Sequence, residues 1–153
     1  MTRYFDASAL VKRYVREPGS TVVRRLLASG DAATSRLSEV EVSSGVARRA
    51  REGALTVRQR DRILAALVRD LPALVLVELT SEVAADARAL LLRHPLRASD
   101  ALQLASCLYL QRHLAQPVPF VAFDGRLTEA ARAEGLTVVT TRTHRAGRPS
   151  QRR

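Results

Sequence analysis

The chain has 153 residues, of which 46% are hydrophobic, and its formal net charge is +10. That length suits one domain around a single core. The positive charge favours a polyanionic or acidic partner, although a basic surface that only confers solubility would give the same balance. A single cysteine, Cys107, excludes an internal disulfide, and no apolar run reaches the roughly 18 residues of a membrane span. We therefore expect a soluble protein of the reducing cytoplasm.

Strand-like and helical patterns alternate from the N-terminus. The run "TRYF" predicts a first strand, and "ASALVKRYVRE" continues with helical spacing until Pro18 and Gly19. A second helix, "TVVRRLLAS", leads to a strand at "AATSR". Two further helices are predicted at "SEVEVSSGVARRAREG" and "VRQRDRILAALVRDL".

The second half continues the alternation. The nearly continuous apolar run "LVLVEL" is typical of a strand covered on both faces, and the helices "EVAADARALLLRH" and "DALQLASCLYLQRHL" follow it. The segments "PFVAF", "GRLTEAARAEG" and "LTVVT" repeat a strand, a helix and a strand. This order predicts an α/β fold with a mostly parallel sheet and helices on both faces, over residues 1–141. Residues 142–153, "RTHRAGRPSQRR", lack apolar periodicity and predict a basic, disordered tail.

Several familiar site motifs are missing from the sequence. It contains no glycine-rich phosphate-binding loop, no C-x-x-C pair and no G-x-S-x-G motif. The histidines His94, His113 and His144 do not have the spacing of zinc ligands. These absences argue against nucleotide-binding, zinc and serine-nucleophile sites, and they leave the acidic residues as candidates.

Four acids have positions that suit chemistry. Asp6 and Asp124 end predicted strands, Asp100 begins a buried helix, and Glu41 lies in the first turn of the third helix. Each also has a purely structural interpretation. Asp6 and Asp124 suit helix caps, Asp100 suits the positive end of a helix dipole, and Glu41 suits a capping box with Ser38.

The four positions are more informative together than singly. Strand ends and the helix starts that follow them meet at one edge of a parallel sheet. Clustered carboxylates repel one another unless a cation neutralises them, and their oxygens are the ligands that Mg²⁺ and Mn²⁺ prefer. A metal site of this kind activates water and stabilises phosphoryl oxygens. An acidic metal site on a basic protein suits a phosphodiester substrate.

Four segments of the sequence resemble the PIN-domain ribonucleases, and within them the VapC-like toxins of toxin–antitoxin pairs. The segments occur in the order of the family and span the chain from its start to about Val139: "YFDASALVKRYVRE", "TSRLSEVEVSSGVARR", "LRASDALQLASCLYL" and "FVAFDGRLTEAARAEGL".

The resemblance implies a site and a function. It makes Asp6, Glu41, Asp100 and Asp124 the catalytic, metal-binding acids, in that order. Glu39 competes for the second position, and Glu41 is preferred because three residues separate it from the "SRL"-like strand end. Ser8 would help to hold metal-bound water. The resemblance further implies a central parallel sheet of about five strands flanked by helices, a homodimer, Mg²⁺- or Mn²⁺-dependent endoribonuclease activity on RNA, and inhibition by a cognate antitoxin protein.

Two other functions compete with this one. A catalytically silent PIN-fold module that binds RNA or an antitoxin would have the same fold, but it would not need four acids. A haloacid-dehalogenase-like phosphatase also begins with a strand that ends in aspartate, yet its chemistry needs a second aspartate where this chain has Ser8.

Overall fold

A computed structural model describes residues 1–139 of the chain, so the predicted basic tail at 142–153 lies outside the described residues. The described part contains five strands: β1 (Thr2–Phe5), β2 (Asp31–Ser35), β3 (Val75–Val77), β4 (Phe120–Val121) and β5 (Val138–Val139). It contains seven α-helices: α1 (Ala7–Leu10), α2 (Ser20–Ala28), α3 (Leu37–Arg51), α4 (Val57–Asp70), α5 (Ser81–Arg93), α6 (Ala98–Leu114) and α7 (Gly125–Ala133). Short 3₁₀ turns at Val11–Arg13 and Leu71–Ala73 follow α1 and α4.

The five strands form one parallel sheet in the order β3-β2-β1-β4-β5. Tyr4 of β1 is in register with Ala33 of β2 on one side and with Phe120 of β4 on the other. The first strand is therefore central, and the chain winds outward from it in both directions. The predicted α/β fold with a parallel sheet of about five strands is confirmed.

Helices cover both faces of the sheet because successive strand residues point to opposite sides. Tyr4 and Ala33 pack in a core cluster with residues of α5, α6 and α7. Phe5 and Ala32 pack in a second cluster with residues of α1, α2, α3 and α4. The result is a three-layer arrangement in which the carboxyl ends of β1, β2 and β4 open toward the same edge.

The run "LVLVEL" forms a strand that is shorter than the run itself. Its strand, β3, has three residues and lies at the edge of the sheet. Val77 packs in the cluster with α5, α6 and α7, and Leu74, just before the strand, packs against the cluster with α1 to α4. Val75 is 44% exposed, whereas Val77 at the other end is 4% exposed. An apolar run in the sequence does not indicate where its strand will lie in the sheet.

The capping box considered for Ser38 and Glu41 does not form. Helix α3 begins at Leu37 after Arg36, two residues earlier than the box requires, and the Arg36 side chain makes no capping hydrogen bond. Ser38 is fully buried, and its hydroxyl lies 2.6 Å from the Thr34 hydroxyl. Glu41 is therefore free of the structural role that competed with a functional one.

Within residues 1–139, no helix has the length and apolar character needed to cross a membrane.

Candidate active site

Asp6 is buried at the end of the central strand. Its side chain is only 4% exposed. Oδ1 accepts hydrogen bonds from the Ala9 backbone N–H and the Ser8 hydroxyl, both at 2.8 Å, and the Ser8 hydroxyl lies 2.9 Å from Oδ2. Asp6 therefore caps α1, as one interpretation of the sequence proposed. Capping uses part of only one oxygen, so it does not exclude a second role.

Burial raises the pKa of Asp6 to about 7. The hydrogen bonds from Ala9 and Ser8 oppose this rise, and the charges of Glu41 and Asp100 add to it. A buried carboxylate near two others is costly in the ionised form, because each negative charge disfavours the next.

Glu41 and Asp100 complete a group of three acids. Burial raises the pKa of Glu41, and the charge of Asp100 raises it further, whereas a 2.9 Å hydrogen bond from Gln103 lowers it. Burial also raises the pKa of Asp100, the charge of Asp124 adds to the effect, and Arg97 opposes it. The charge of Asp100 thus raises the pKa values of both Asp6 and Glu41, and the charge of Glu41 raises that of Asp6.

Asp124 is the most exposed of the four acids. Its side chain caps α7 by accepting a 2.9 Å hydrogen bond from the Leu127 N–H, and it is exposed. It is linked to the others through its effect on Asp100. The four predicted acids are thus linked through their charges, and two of them, Asp6 and Asp124, also cap helices.

The structure separates Glu39 from Glu41. The Glu39 carboxylate forms an ion pair with Arg36 at 3.3 Å, and Arg36 also binds Glu78 at 2.6 Å. Glu41 faces α6 and accepts from Gln103. Two positions along a helix place side chains about 200° apart, so both glutamates cannot face the same site.

An open cleft of about 590 Å³ lies beside the acids, and Ser8, Glu41 and Asp100 line it. Four basic side chains line it as well, namely Lys12, Arg48, Arg49 and Arg97. Glu17 holds two of these, with its carboxylate oxygens 3.0 Å from Lys12 Nζ and 2.9 Å from Arg49 Nη2. The cleft thus combines a basic wall with two carboxylates, Glu41 and Asp100, that form no ion pair within residues 1–139.

The donor chemistry of the acids fits a hard divalent cation. Carboxylate oxygens are the preferred ligands of Mg²⁺ and Mn²⁺, and a cation would offset both the burial and the like charges that raise the three pKa values. Among residues 1–139, no group of three or more His, Cys, Asp or Glu side chains is arranged so that it could hold a metal ion by itself. Mg²⁺ does not need one, because it keeps several waters and binds through one or two carboxylates plus substrate phosphates.

Gln103 is the residue of this region that the sequence interpretation missed. It is 2% exposed in the middle of α6, one turn after Asp100, and it contacts Glu41 directly. The signal was its polarity, since a glutamine in the apolar run "ALQLASCLYL" must find hydrogen-bond partners in the core. That reasoning predicts a polar neighbour without saying which one.

The PIN domain family model matches residues 3–133 of the chain. The chain is 40% identical over 141 residues to ribonuclease VapC45 of Mycobacterium tuberculosis. The match covers 88% of this chain and 92% of that protein. The chain is 35% identical over 144 residues to ribonuclease VapC47 of the same species, with 90% and 95% covered.

Solved structures share the fold at lower identity. The crystal structure of Mycobacterium tuberculosis VapC20, described as a sarcin–ricin loop cleaving toxin, matches with a TM-score of 0.64 and 20% identity over 90% of this chain and 97% of that one. A toxin–antitoxin complex from Klebsiella pneumoniae matches with a TM-score of 0.60 and 21% identity over 90% and 96%. The family model, the relatives and the three-layer fold agree: this chain belongs to the PIN-domain family, among relatives named VapC ribonucleases.

Proposed function

We propose that the protein is a metal-dependent endoribonuclease that hydrolyses RNA phosphodiester bonds as the toxin of a toxin–antitoxin pair. One observation carries the proposal: Glu41 and Asp100 line a cleft together with basic side chains and with Ser8, which binds Asp6, and the pKa values of all three acids are raised. The names of the relatives, ribonucleases VapC45 and VapC47, point to the same activity.

The acids would hold the metal. Asp6, Glu41 and Asp100 would bind Mg²⁺ or Mn²⁺ directly or through water, and Asp124 would add negative charge beside Asp100. The bound ion would supply an activated water and neutralise charge on the phosphoryl oxygens. Ser8, whose hydroxyl donates to Asp6, would hold that carboxylate in place and contact the metal-bound water.

The basic wall would bind the RNA backbone. Lys12, Arg48, Arg49 and Arg97 line the same cleft as the acids, and arginine and lysine contact phosphates in most nucleic-acid complexes. Lys12 also lies 4.5 Å from the centre of the Phe123 ring, which fixes its stem next to the loop that carries Asp124. The phosphate contacts would set the register of the strand relative to the metal.

A cognate antitoxin protein would be the natural inhibitor, and a homodimer would be the active assembly. The toxin–antitoxin complex with the same fold supports an antitoxin partner. An antitoxin segment that offered an arginine or lysine to the three acids would neutralise them as the metal does. Such a toxin would act on RNA in the cytoplasm. Light scattering and co-expression with products of neighbouring reading frames would test these assignments.

The activity is tested by incubating the purified protein with mixed single-stranded RNA in Mn²⁺ or Mg²⁺ and in excess EDTA. We expect internal cleavage with metal and none with EDTA. DNA of the same sequence is the matched control. RNA binding without cleavage under all metal conditions would instead support a catalytically silent module.

A further inference from the structure

Gln103 makes three hydrogen bonds in the core beneath the acids. Its Oε1 accepts from the Tyr4 hydroxyl at 2.6 Å. Its Nε2 donates to Ser38 Oγ and to Glu41 Oε1, both at 2.9 Å. The amide therefore joins α6 to β1 and to two positions of α3, and its last contact is the acid at the cleft.

The direction of these bonds is fixed from the side of Ser38. The Thr34 hydroxyl lies 2.7 Å from the Phe5 carbonyl oxygen, which can only accept, so Thr34 spends its one hydrogen there. In the 2.6 Å contact between Thr34 and Ser38, the Ser38 hydroxyl must then be the donor. The Ser38 hydroxyl can therefore only accept a hydrogen bond from Gln103, and the amide must turn its Nε2 toward Ser38.

The Glu41 carboxylate favours the same orientation, and the Tyr4 hydroxyl is consistent with it because it donates to Oε1. Within residues 1–139, every buried side-chain polar atom has a partner, and Tyr4, Thr34 and Ser38 are each no more than 1% exposed. A flipped amide would turn Oε1 toward Glu41 and Ser38, where it would meet lone pairs on both. The network therefore specifies that an N–H points at Glu41.

We propose that Gln103 is a positioning residue that holds Glu41 in register with Asp6. The hydrogen bonds run from Glu41 through Gln103 and Ser38 to Thr34, which binds the carbonyl of Phe5, the residue immediately before Asp6. The path links the acid of α3 to the acid that follows β1 through rigid, buried groups. This inference rests on the proposed function in that both acids serve one metal.

A merely structural role for Gln103 predicts something different. A buried amide that only satisfied Tyr4 and Ser38 would affect folding and would leave metal binding alone. The contact with Glu41 distinguishes the two roles, because outer contacts that orient a metal-binding side chain change metal affinity or activity by about 10- to 100-fold when they are removed.

The first test replaces Gln103 by a side chain of similar shape without an amide, Gln103→Met. We expect its affinity for Mn²⁺, measured by calorimetry, to fall about 10- to 100-fold, and kcat for RNA cleavage to fall similarly with little change in KM. Gln111→Met is the matched control. Gln111 lies on the same helix and accepts a 3.0 Å hydrogen bond from the Val118 N–H, so its loss destabilises the protein without reaching the acids.

A second test keeps Gln103 and weakens what holds its amide in place. Tyr4→Phe removes the donor to Oε1, and Thr34→Val removes the acceptor that fixes the Ser38 hydroxyl. In the double variant the amide is tied mainly to Glu41 itself, so it can no longer hold Glu41 in register. Each single variant should change Mn²⁺ affinity by less than about threefold, because the remaining contact still fixes the amide. The double variant should lose at least about tenfold, which is more than the sum of the single effects. If Gln103→Met does not fold, these variants test the positioning role of Gln103 instead.

The outcomes separate this inference from the proposed function. Parent-like Mn²⁺ affinity and kcat in folded Gln103→Met, or in the folded double variant, would overturn the positioning role. A parent protein that binds Mn²⁺ without cleaving RNA would overturn the proposed function alone, and Mn²⁺ affinity would still decide the role of Gln103. A parent that binds no Mn²⁺ would overturn both.

Discussion

Carboxylates occur in two contrasting settings in this protein. At the periphery, Glu78 and Glu134 lie 2.6 Å and 3.0 Å from arginine nitrogens, and hydrogen bonds from those arginines lower the pKa of each. At the cleft, the pKa values of Asp6, Glu41 and Asp100 are raised, mainly by burial. None of these three forms an ion pair with another side chain in residues 1–139.

The contrast shows which carboxylates this fold pairs with arginine and which it buries beside other acids. The chain has 25 basic residues against 15 acidic ones, so positive partners are abundant. Arginines nevertheless neutralise the peripheral acids and leave the cleft acids with one another. Groups whose pKa values are perturbed by burial and by like charges mark functional sites more often than structural ones. The cleft acids are the set that a cation from outside would stabilise.

The comparison is tested most strongly by neutralising one buried aspartate at the cleft and one aspartate that is paired with an arginine. Asp6→Asn should lower RNA cleavage roughly 10³-fold, because a buried ligand of the metal is lost. Asp70→Asn is the matched control, since Asp70 accepts from Arg13 and Tyr14 at 3.0 Å and lies outside the cleft. Single-turnover assays in Mn²⁺ measure both. An Asp6→Asn protein that cleaves at close to the parent rate would falsify the assignment of Asp6.

The comparison can be repeated within one helix. Glu41→Gln should lower cleavage roughly 10²-fold, whereas Glu39→Gln should stay within about twofold of the parent, because Glu39 is paired with Arg36 and Glu41 is not ion-paired. The two variants have the same composition and charge. If Glu39→Gln were the more damaging change, Glu39 would be the second acid of the site.

The fold was largely predictable from the sequence, whereas the site was predictable only in part. Alternating strand and helix patterns specified the parallel sheet, and the ends of its strands specified where acids would meet. The edge position of β3 was not predictable, because an apolar run does not encode strand order. The role of Ser38 was mistaken since the capping pattern is local, while its partners, Thr34 and Gln103, come from β2 and α6.

In the absence of metal, the effect of ionisation on stability should have opposite signs for a cleft acid and for an acid paired with arginine. Asp6 has a folded pKa of about 7 against an ordinary value of 3.8, so its ionisation destabilises the fold increasingly as pH rises from about 4 to 7. Asp6→Asn keeps the capping oxygen and removes this cost. In EDTA at pH 8 we expect the variant to be more stable by about 1–2 kcal/mol, with the difference shrinking toward pH 4.

Metal addition provides the control for that prediction. Mn²⁺ should stabilise the parent at pH 8 and stabilise Asp6→Asn much less, because only a ligand that binds the native state shifts unfolding. Urea unfolding of both proteins at pH 4.5 and 8, with EDTA or with Mn²⁺, measures their stability under all four conditions. A variant that is less stable than the parent at pH 8 in EDTA would show that capping and hydrogen bonding outweigh repulsion at Asp6.

The smallest effect is expected at a paired acid, where the dependence on pH reverses. Glu134 lies between Arg93 at 3.0 Å and the His94 ring at 2.6 Å, and the Arg93 hydrogen bond is the main cause that lowers its pKa below the ordinary value of 4.5. Its ionised form therefore stabilises the fold above about pH 4.5, and this contribution is lost as pH falls. Glu134→Gln should cost about 0.5–1 kcal/mol at pH 7, because one partner is half-exposed, and less at pH 3.5. Cleavage should stay at the parent rate since the residue does not line the cleft. Urea unfolding at the two pH values measures the difference, and a gap that widens on acidification would contradict the distinction between paired and unpaired acids.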